Sequence, residues 1–223
     1  MENNTDQNSQ IKYMDKFLYL SNRLEFLTGY TLTSNKLKIY GTPRNGKCTL
    51  MVKEIYENIA ALIHTKNNLG DEDISQNEKV LCLTIGDGKH PRAGILFALA
   101  TKWKVISIDP IMDDKWLANT EHNFGHLLPN LECVAAKAND IINEIDFTKY
   151  DYVVMIGVHT HADMYDAKRM ITKKKFDTKL LILYIPCCKG IPRQFNNTKP
   201  IVDTNDSVIP STKNRIIIWK INW

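Results

Sequence analysis

Two glycines and two carboxylates carry the clearest chemistry in this chain. Gly86-Asp87-Gly88 interrupts the apolar run Val80 to Ile85 at a point where the backbone must turn sharply. Glycine has no Cβ, so a ligand can approach such a turn closely. Asp109 ends a second apolar run, Val105 to Ile108, and a carboxylate in that position can grip sugar hydroxyls. His159 follows a third run, Tyr152 to Val158, and is a candidate base or substrate contact. Asn139 and Asp140, after Leu131 to Ala135, can either offer hydrogen bonds to a ligand or cap the helix that begins there. Gly41 and Gly46-Lys47 have the spacing of a phosphate-binding loop, yet Cys48 stands where a hydroxyl should coordinate magnesium. A thiol is a poor ligand for that hard cation.

These residues need a scaffold that brings strand ends together. Val80 to Ile85 is almost continuously apolar, as a strand buried on both faces should be, and Ile95, Leu96, Phe97 and Leu99 continue as a helix. Strand, glycine turn, helix and strand then place Gly86 and Asp109 in one crevice beyond the carboxyl ends of a parallel sheet. Leu131 to Ala135, Tyr152 to Val158 and Leu180 to Ile185 supply further strands. Asp206 to Ile209 and Asn214 to Ile221 form a terminal hairpin. Before this core, Met14, Phe17, Leu18, Leu24 and Leu27 predict one amphipathic helix, and Met51, Ile55, Ile59 and Leu62 predict another. Asn68 to Asn77 reads as a surface connector. The fold predicted is α/β: a Rossmann-like, mainly parallel seven-stranded sheet with an antiparallel C-terminal strand and a helical N-terminal extension.

The 223 residues, 43% hydrophobic, suffice for one sizeable core. We expect a disordered tail over 1–10 and one domain over 11–223, with the extension at 11–70 and the sheet core at 79–223. No run approaches a membrane span and the polar N-terminus does not resemble a signal peptide, so a cytoplasmic protein is expected. Five cysteines, without repeated Cys-x-x-Cys spacing, argue against a disulfide framework and a zinc site. His122 and His126 lack a nearby third ligand, and no metal is expected at His159, His161 and Asp163 either. The net charge of +4 is concentrated at Lys36, Lys38, Arg44, Lys47 and Lys53, and at Lys168, Arg169, Lys173, Lys174 and Lys175. Either group can attract phosphate, and the second can equally be a solvated helix face.

After Gly88 come Lys89, His90, Pro91 and Arg92, so the third close glycine of a dinucleotide-binding turn is missing. The stretch from Lys79 to Pro110 instead resembles the first two motifs of class I S-adenosylmethionine-dependent methyltransferases. The resemblance implies that Ile85, Gly86, Asp87 and Gly88 line the methionine end of the cofactor, that Asp109 meets its ribose, and that Asn139 or Asp140 meets its adenine. Lys47 and Glu54 stand as a lysine and glutamate do in viral cap ribose 2′-O-methyltransferases, and Lys189 matches a further lysine of that family. The aspartate and second glutamate of that family's catalytic set are not matched. A His-containing turn and a later Pro186-Cys187-Cys188 also resemble turns of some methyltransferase-like proteins. By these resemblances the chain is expected to transfer methyl groups, with Lys47, His159 and Lys189 as catalytic candidates and RNA as the favoured partner. The alternatives are an inactive methyltransferase-like scaffold that binds RNA or a protein, and a P-loop-like nucleotide-binding protein.

Overall fold

The computed structural model describes residues 50–70, 73–117, 128–174, 177–186, 195, 199–207, 209 and 214–223. The helix expected over Met14 to Leu27, the Gly41–Lys47 loop, the His122–His126 segment, Cys187, Cys188 and Lys189 lie outside these residues.

The core is one seven-stranded sheet. Its strands are β1 (Val80–Ile85), β2 (Lys104–Ile108), β3 (Leu131–Val134), β4 (Tyr152–Val158), β5 (Lys179–Ile185), β6 (Val202–Asn205) and β7 (Arg215–Ile221). They lie in the order β3-β2-β1-β4-β5-β7-β6. The first five are parallel, and β7 runs antiparallel to both β5 and β6. All six residues of β1 are buried, as their uninterrupted apolar run requires of a central strand.

Among the described residues, four α-helices cover the two faces. α1 (Leu50–Leu69) and α2 (Arg92–Ala100) share a core with Val80, Cys82, Val105, Val154, Leu181 and Ile218. α3 (Ala138–Glu144) and α4 (Met164–Lys174) pack on the other face, against Leu81, Leu83, Ile106, Val153, Met155 and Ile182. The alternation of odd and even strand positions between these cores follows from the two-residue period of a strand. Successive strands diverge in opposite directions from β1 and β4, which are neighbours. The crevice at that reversal is where open α/β sheets bind ligands.

The structure corrects the sequence-based reading at three places. The hairpin's first strand is Val202–Asn205, ahead of the expected Asp206 to Ile209. Asp206 is instead drawn into a turn, its N–H donating to the Asn214 carbonyl and its carboxylate meeting His64 Nε2 of α1 at 2.9 Å. The connector from Asn68 is also not all surface: α1 continues to Leu69, and Ile74 is buried, its carbonyl accepting from Trp103 Nε1 at 2.7 Å. Finally, α1 is buried all the way round at its middle, from Glu57 to Leu62, and not only along its apolar stripe.

Candidate active site

Gly86 leaves β1 with φ +73 and donates its N–H to the Ile108 carbonyl at 2.8 Å, tying the turn to the end of β2. A Cβ on Gly86 would lie 2.0 Å from Thr160 Oγ1, so the turns after β1 and β4 are in direct contact. Gly88, with φ +80, faces the opposite condition: among the described residues a Cβ there would meet nothing within 4 Å.

Asp87 turns inward. Its carboxylate accepts from the N–H groups of Ala93 at 3.0 Å and Gly94 at 2.9 Å, in the first turn of α2, and from Ser107 Oγ at 2.9 Å and Thr84 Oγ1 at 3.1 Å. Thr84 and Ser107 are the polar residues within the apolar bodies of β1 and β2, and both are buried. Asp87 gives them a partner, which explains their presence. Burial pushes its carboxyl above the ordinary aspartate value, against the pull of these four hydrogen bonds. Its negative group also occupies the positive end of α2, where a dinucleotide would place its pyrophosphate.

Asp109 is buried at the mouth of the crevice. Its Oδ2 accepts from Gly88 N at 2.8 Å and its Oδ1 from Ile111 N at 2.9 Å. A carboxylate has about four acceptor sites, so a pair of sugar hydroxyls can be accommodated as well. The segment after Asp109 is tied to the one after Gly88: Trp116 Nε1 donates to His90 Nδ1 at 3.2 Å, and Asp113 N donates to the Lys89 carbonyl. The seat thus fits a nucleoside that brings no phosphate to the helix end, and this is the condition S-adenosylmethionine meets.

Asn139 and Asp140 lie in the first turn of α3, where Lys137 holds the N-cap position. Asn139 Nδ2 donates to Asp166 Oδ2 of α4 at 2.6 Å, while Asp140 is exposed. The structure therefore brings Ile85, Gly86, Asp87, Gly88 and Asp109 together, joins His159 to them through Thr160, and ties Asn139 to α4.

His159 follows β4 with φ 53, in the left-handed region that β-turn glycine or asparagine usually fills. Its N–H donates to the Ile185 carbonyl at 2.9 Å. Its Nε2 lies 2.8 Å from Oε1 of Glu57, a fully buried residue of α1. Glu57 escapes a reading of sequence because it sits on the far side of α1 from Ile55 and Ile59. Nothing in the sequence singles it out, since the same helix also carries Lys53, Glu54, Asn58 and His64. Glu54, the residue the cap-enzyme resemblance singles out, pairs with Arg92 at the start of α2 at 2.9 Å.

Part of the basic run on α4 has structural work. Arg169 pairs with Asp166 at 2.7 Å, and Lys174 Nζ donates to the carbonyls of Ile142, Asn143 and Ile145 at the end of α3. Cys82 and Cys133 are buried free thiols; burial raises both, Cys133 to about 12, which keeps them protonated and unreactive. Among the described residues no three or more His, Cys, Asp and Glu gather as a metal site, and no helix is long and apolar enough to cross a membrane.

The strand order, with its antiparallel β7 beside β5, is the Rossmann-like, mainly parallel seven-stranded sheet that the sequence predicts. No family model and no curated protein matches the chain. Among solved structures it is similar to MtNAS in complex with S-adenosylmethionine, at 12% identity over 92% of this chain and 70% of that one, with a TM-score of 0.46. It is also similar to an rRNA methylase from Streptococcus thermophilus, at 12% identity over 70% of this chain and 92% of that one, TM-score 0.37. Coclaurine N-methyltransferase bound to N-methylheliamine and SAH is a third, at 17% identity over 80% and 51%, TM-score 0.36.

Proposed function

We propose that the protein is an S-adenosylmethionine-dependent methyltransferase acting on RNA, with a cap or ribose hydroxyl as the acceptor. One observation supports the cofactor assignment: Asp87 caps α2 from within, while among the described residues nothing crowds Gly88 and the Asp109 carboxylate has acceptor sites left for a sugar. A phosphate-bearing cofactor would meet the Asp87 charge at the helix end, whereas a sulfonium nucleoside would not. When bound, S-adenosylmethionine supplies a methyl group already activated for transfer. The chain's own task is then to align an acceptor and take its proton.

In this reading the backbone of Ile85 to Gly88 lines the amino-acid end, Asp109 holds the ribose, and Asn139 and Asp140 stand toward the adenine. Asp87 acts through the turn it braces. His159, at the end of β4, is in this reading the group that receives the acceptor's proton. RNA is favoured by the basic residues Lys36, Lys38, Arg44, Lys47 and Lys53 and by the match of Lys47, Glu54 and Lys189 to cap enzymes. Phosphate attraction by that segment would supply affinity for an RNA backbone.

Calorimetry with S-adenosylhomocysteine on wild type and Asp109→Ala, with ATP for comparison, tests the assignment. Binding to wild type that is lost in the variant, whose melting temperature is checked in parallel, would support it and justify assays with capped and uncapped RNA. Absence of binding to wild type would sink it, and ATP binding in its place would move attention to Gly41 to Lys47. Cofactor binding without methylation of either RNA would favour an inactive scaffold, the reading to which the two unmatched acids of the cap-enzyme set also point.

A further inference from the structure

An indole is one of the largest apolar surfaces a side chain can leave in water, and three of the four in this chain are covered. Trp103, Trp116 and Trp219 are 0%, 7% and 1% exposed, whereas Trp223 is 46% exposed. It stands just after β7, at the end of the sheet where β4 and β5 begin, and so at the opposite end from the crevice.

Its place is set by the backbone before it. Asn222 takes the left-handed conformation, φ 61, which asparagine tolerates better than most residues, and its Nδ2 donates to the Thr178 carbonyl at 3.2 Å. That reversal puts the indole beside the Tyr152 ring, with centroids 5.7 Å apart and planes at 48°. Tyr152, Lys179 and Lys220 come from three adjacent strands and share the face of Val154, Leu181 and Ile218, because side chains alternate along a strand. Lys179 Nζ lies 5.2 Å from the Tyr152 centroid and 5.8 Å from that of Trp223, and Lys220 Nζ lies 4.1 Å from the Trp223 centroid. Among the described residues neither ammonium is paired with a carboxylate, and Asp151 is taken by Lys79 at 3.9 Å.

An apolar partner would bury both charges unpaired, which is costly. An acidic peptide would pair with the lysines and leave the rings without a flat partner. A single-stranded nucleic acid satisfies both kinds of group, since a base offers a π face to the indole and the phosphates beside it meet the lysines. An exposed cation–π contact is weaker than a base stacked on an aromatic ring, so a base can take the ring and release an ammonium to a phosphate.

We infer that Tyr152, Lys179, Lys220 and Trp223 form a docking surface for single-stranded RNA. The choice of RNA rests on the acceptor proposed above. The surface adds affinity for the acceptor's chain away from the group that reacts: the seven residues of β5 span about 20 Å, so an RNA must extend at least that far to reach both ends of the sheet.

The test uses the full chain and a labelled single-stranded oligouridine long enough to span the sheet, with binding read by anisotropy. Trp223→Ala should weaken binding about tenfold, the worth of one stacked base, and the double variant Lys179→Gln, Lys220→Gln should flatten the salt dependence. Trp223→Phe, which keeps a ring, should retain most of the affinity. S-adenosylhomocysteine affinity should be unchanged in all of them, because the crevice lies at the other end of the sheet. In wild type the oligomer should also quench tryptophan emission, and the quenching reports Trp223 because the other three indoles are buried. Equal RNA affinity in wild type and Trp223→Ala would overturn the inference and leave the proposed function standing. So would equal binding of duplex RNA, whose bases are stacked inside, or binding of oligoglutamate in place of RNA, which would assign the surface to an acidic protein. If Trp223→Ala does not fold, wild-type emission decides, and RNA binding without quenching overturns the inference. Failure of wild type to bind S-adenosylhomocysteine would reject the methyltransferase reading instead, and the anisotropy series would still decide the surface.

Discussion

The turns after β1 and β4 touch one another but are built on opposite principles. The first is braced from within: Asp87 receives four donors, Asp109 receives two backbone N–H groups, and Gly86 and Gly88 take positive φ, which glycine adopts readily. The second keeps a histidine in left-handed backbone, with a ring whose nitrogens are not aligned to any partner among the described residues. A turn braced in this way is pre-organised, which lowers the ordering cost of binding. A strained one is where functional residues tend to gather. In the function proposed above, the difference separates the task of holding a cofactor from that of handling a proton.

The comparison breaks most severely at Asp87. Asp87→Ala strands four donors, two of them buried hydroxyls, and should lower unfolding stability by about 3–5 kcal/mol in urea titrations. Because burial raises the folded-state value of this carboxyl, the folded protein binds its proton more tightly than the unfolded chain. The stability it contributes is therefore greatest below the ordinary aspartate value and falls as pH rises through the raised one. Relative to Asp87→Asn, wild type should lose stability over that window. The opposite slope would mean that the four hydrogen bonds outweigh burial.

The two glycines give the next largest effect. Gly86→Ala should cost about 2–4 kcal/mol, since its new methyl strikes Thr160 as well as straining the backbone, whereas Gly88→Ala should cost only about 1 kcal/mol. Equal costs in denaturant melts would show that the turns do not press on each other. Asp109→Ala should weaken S-adenosylhomocysteine about a hundredfold by calorimetry, the worth of one or two hydrogen bonds to a charged group. Removing the half-exposed Glu54–Arg92 pair, which links α1 to α2, should change stability by no more than about 0.5 kcal/mol. A larger loss in Glu54→Ala would mean that the two regions are mechanically coupled.

Much of the scaffold was legible in the chain itself. β1 and β4 have the bounds their apolar runs indicate, and β2, β3 and β5 differ from expectation by a single residue. Gly86, Gly88 and Asp109 were visible because a turn with positive φ and a carboxylate at a strand end are local features. The inward task of Asp87 was not visible, since the donors of α2 and β2 reach it only after α2 packs across the sheet. The hairpin was placed too late for a similar reason: Asp206 is taken by His64, 142 residues away.

By itself, then, the sequence determined the strands, the glycine turn and the acidic residue after β2, because periodicity and backbone preference act over a few neighbouring residues. Only the tertiary structure decided which carboxylate faces the crevice, which braces the turn, and that Glu57 meets His159. Those outcomes depend on burial and on contacts between segments about a hundred residues apart, where desolvation makes each unpaired charge costly.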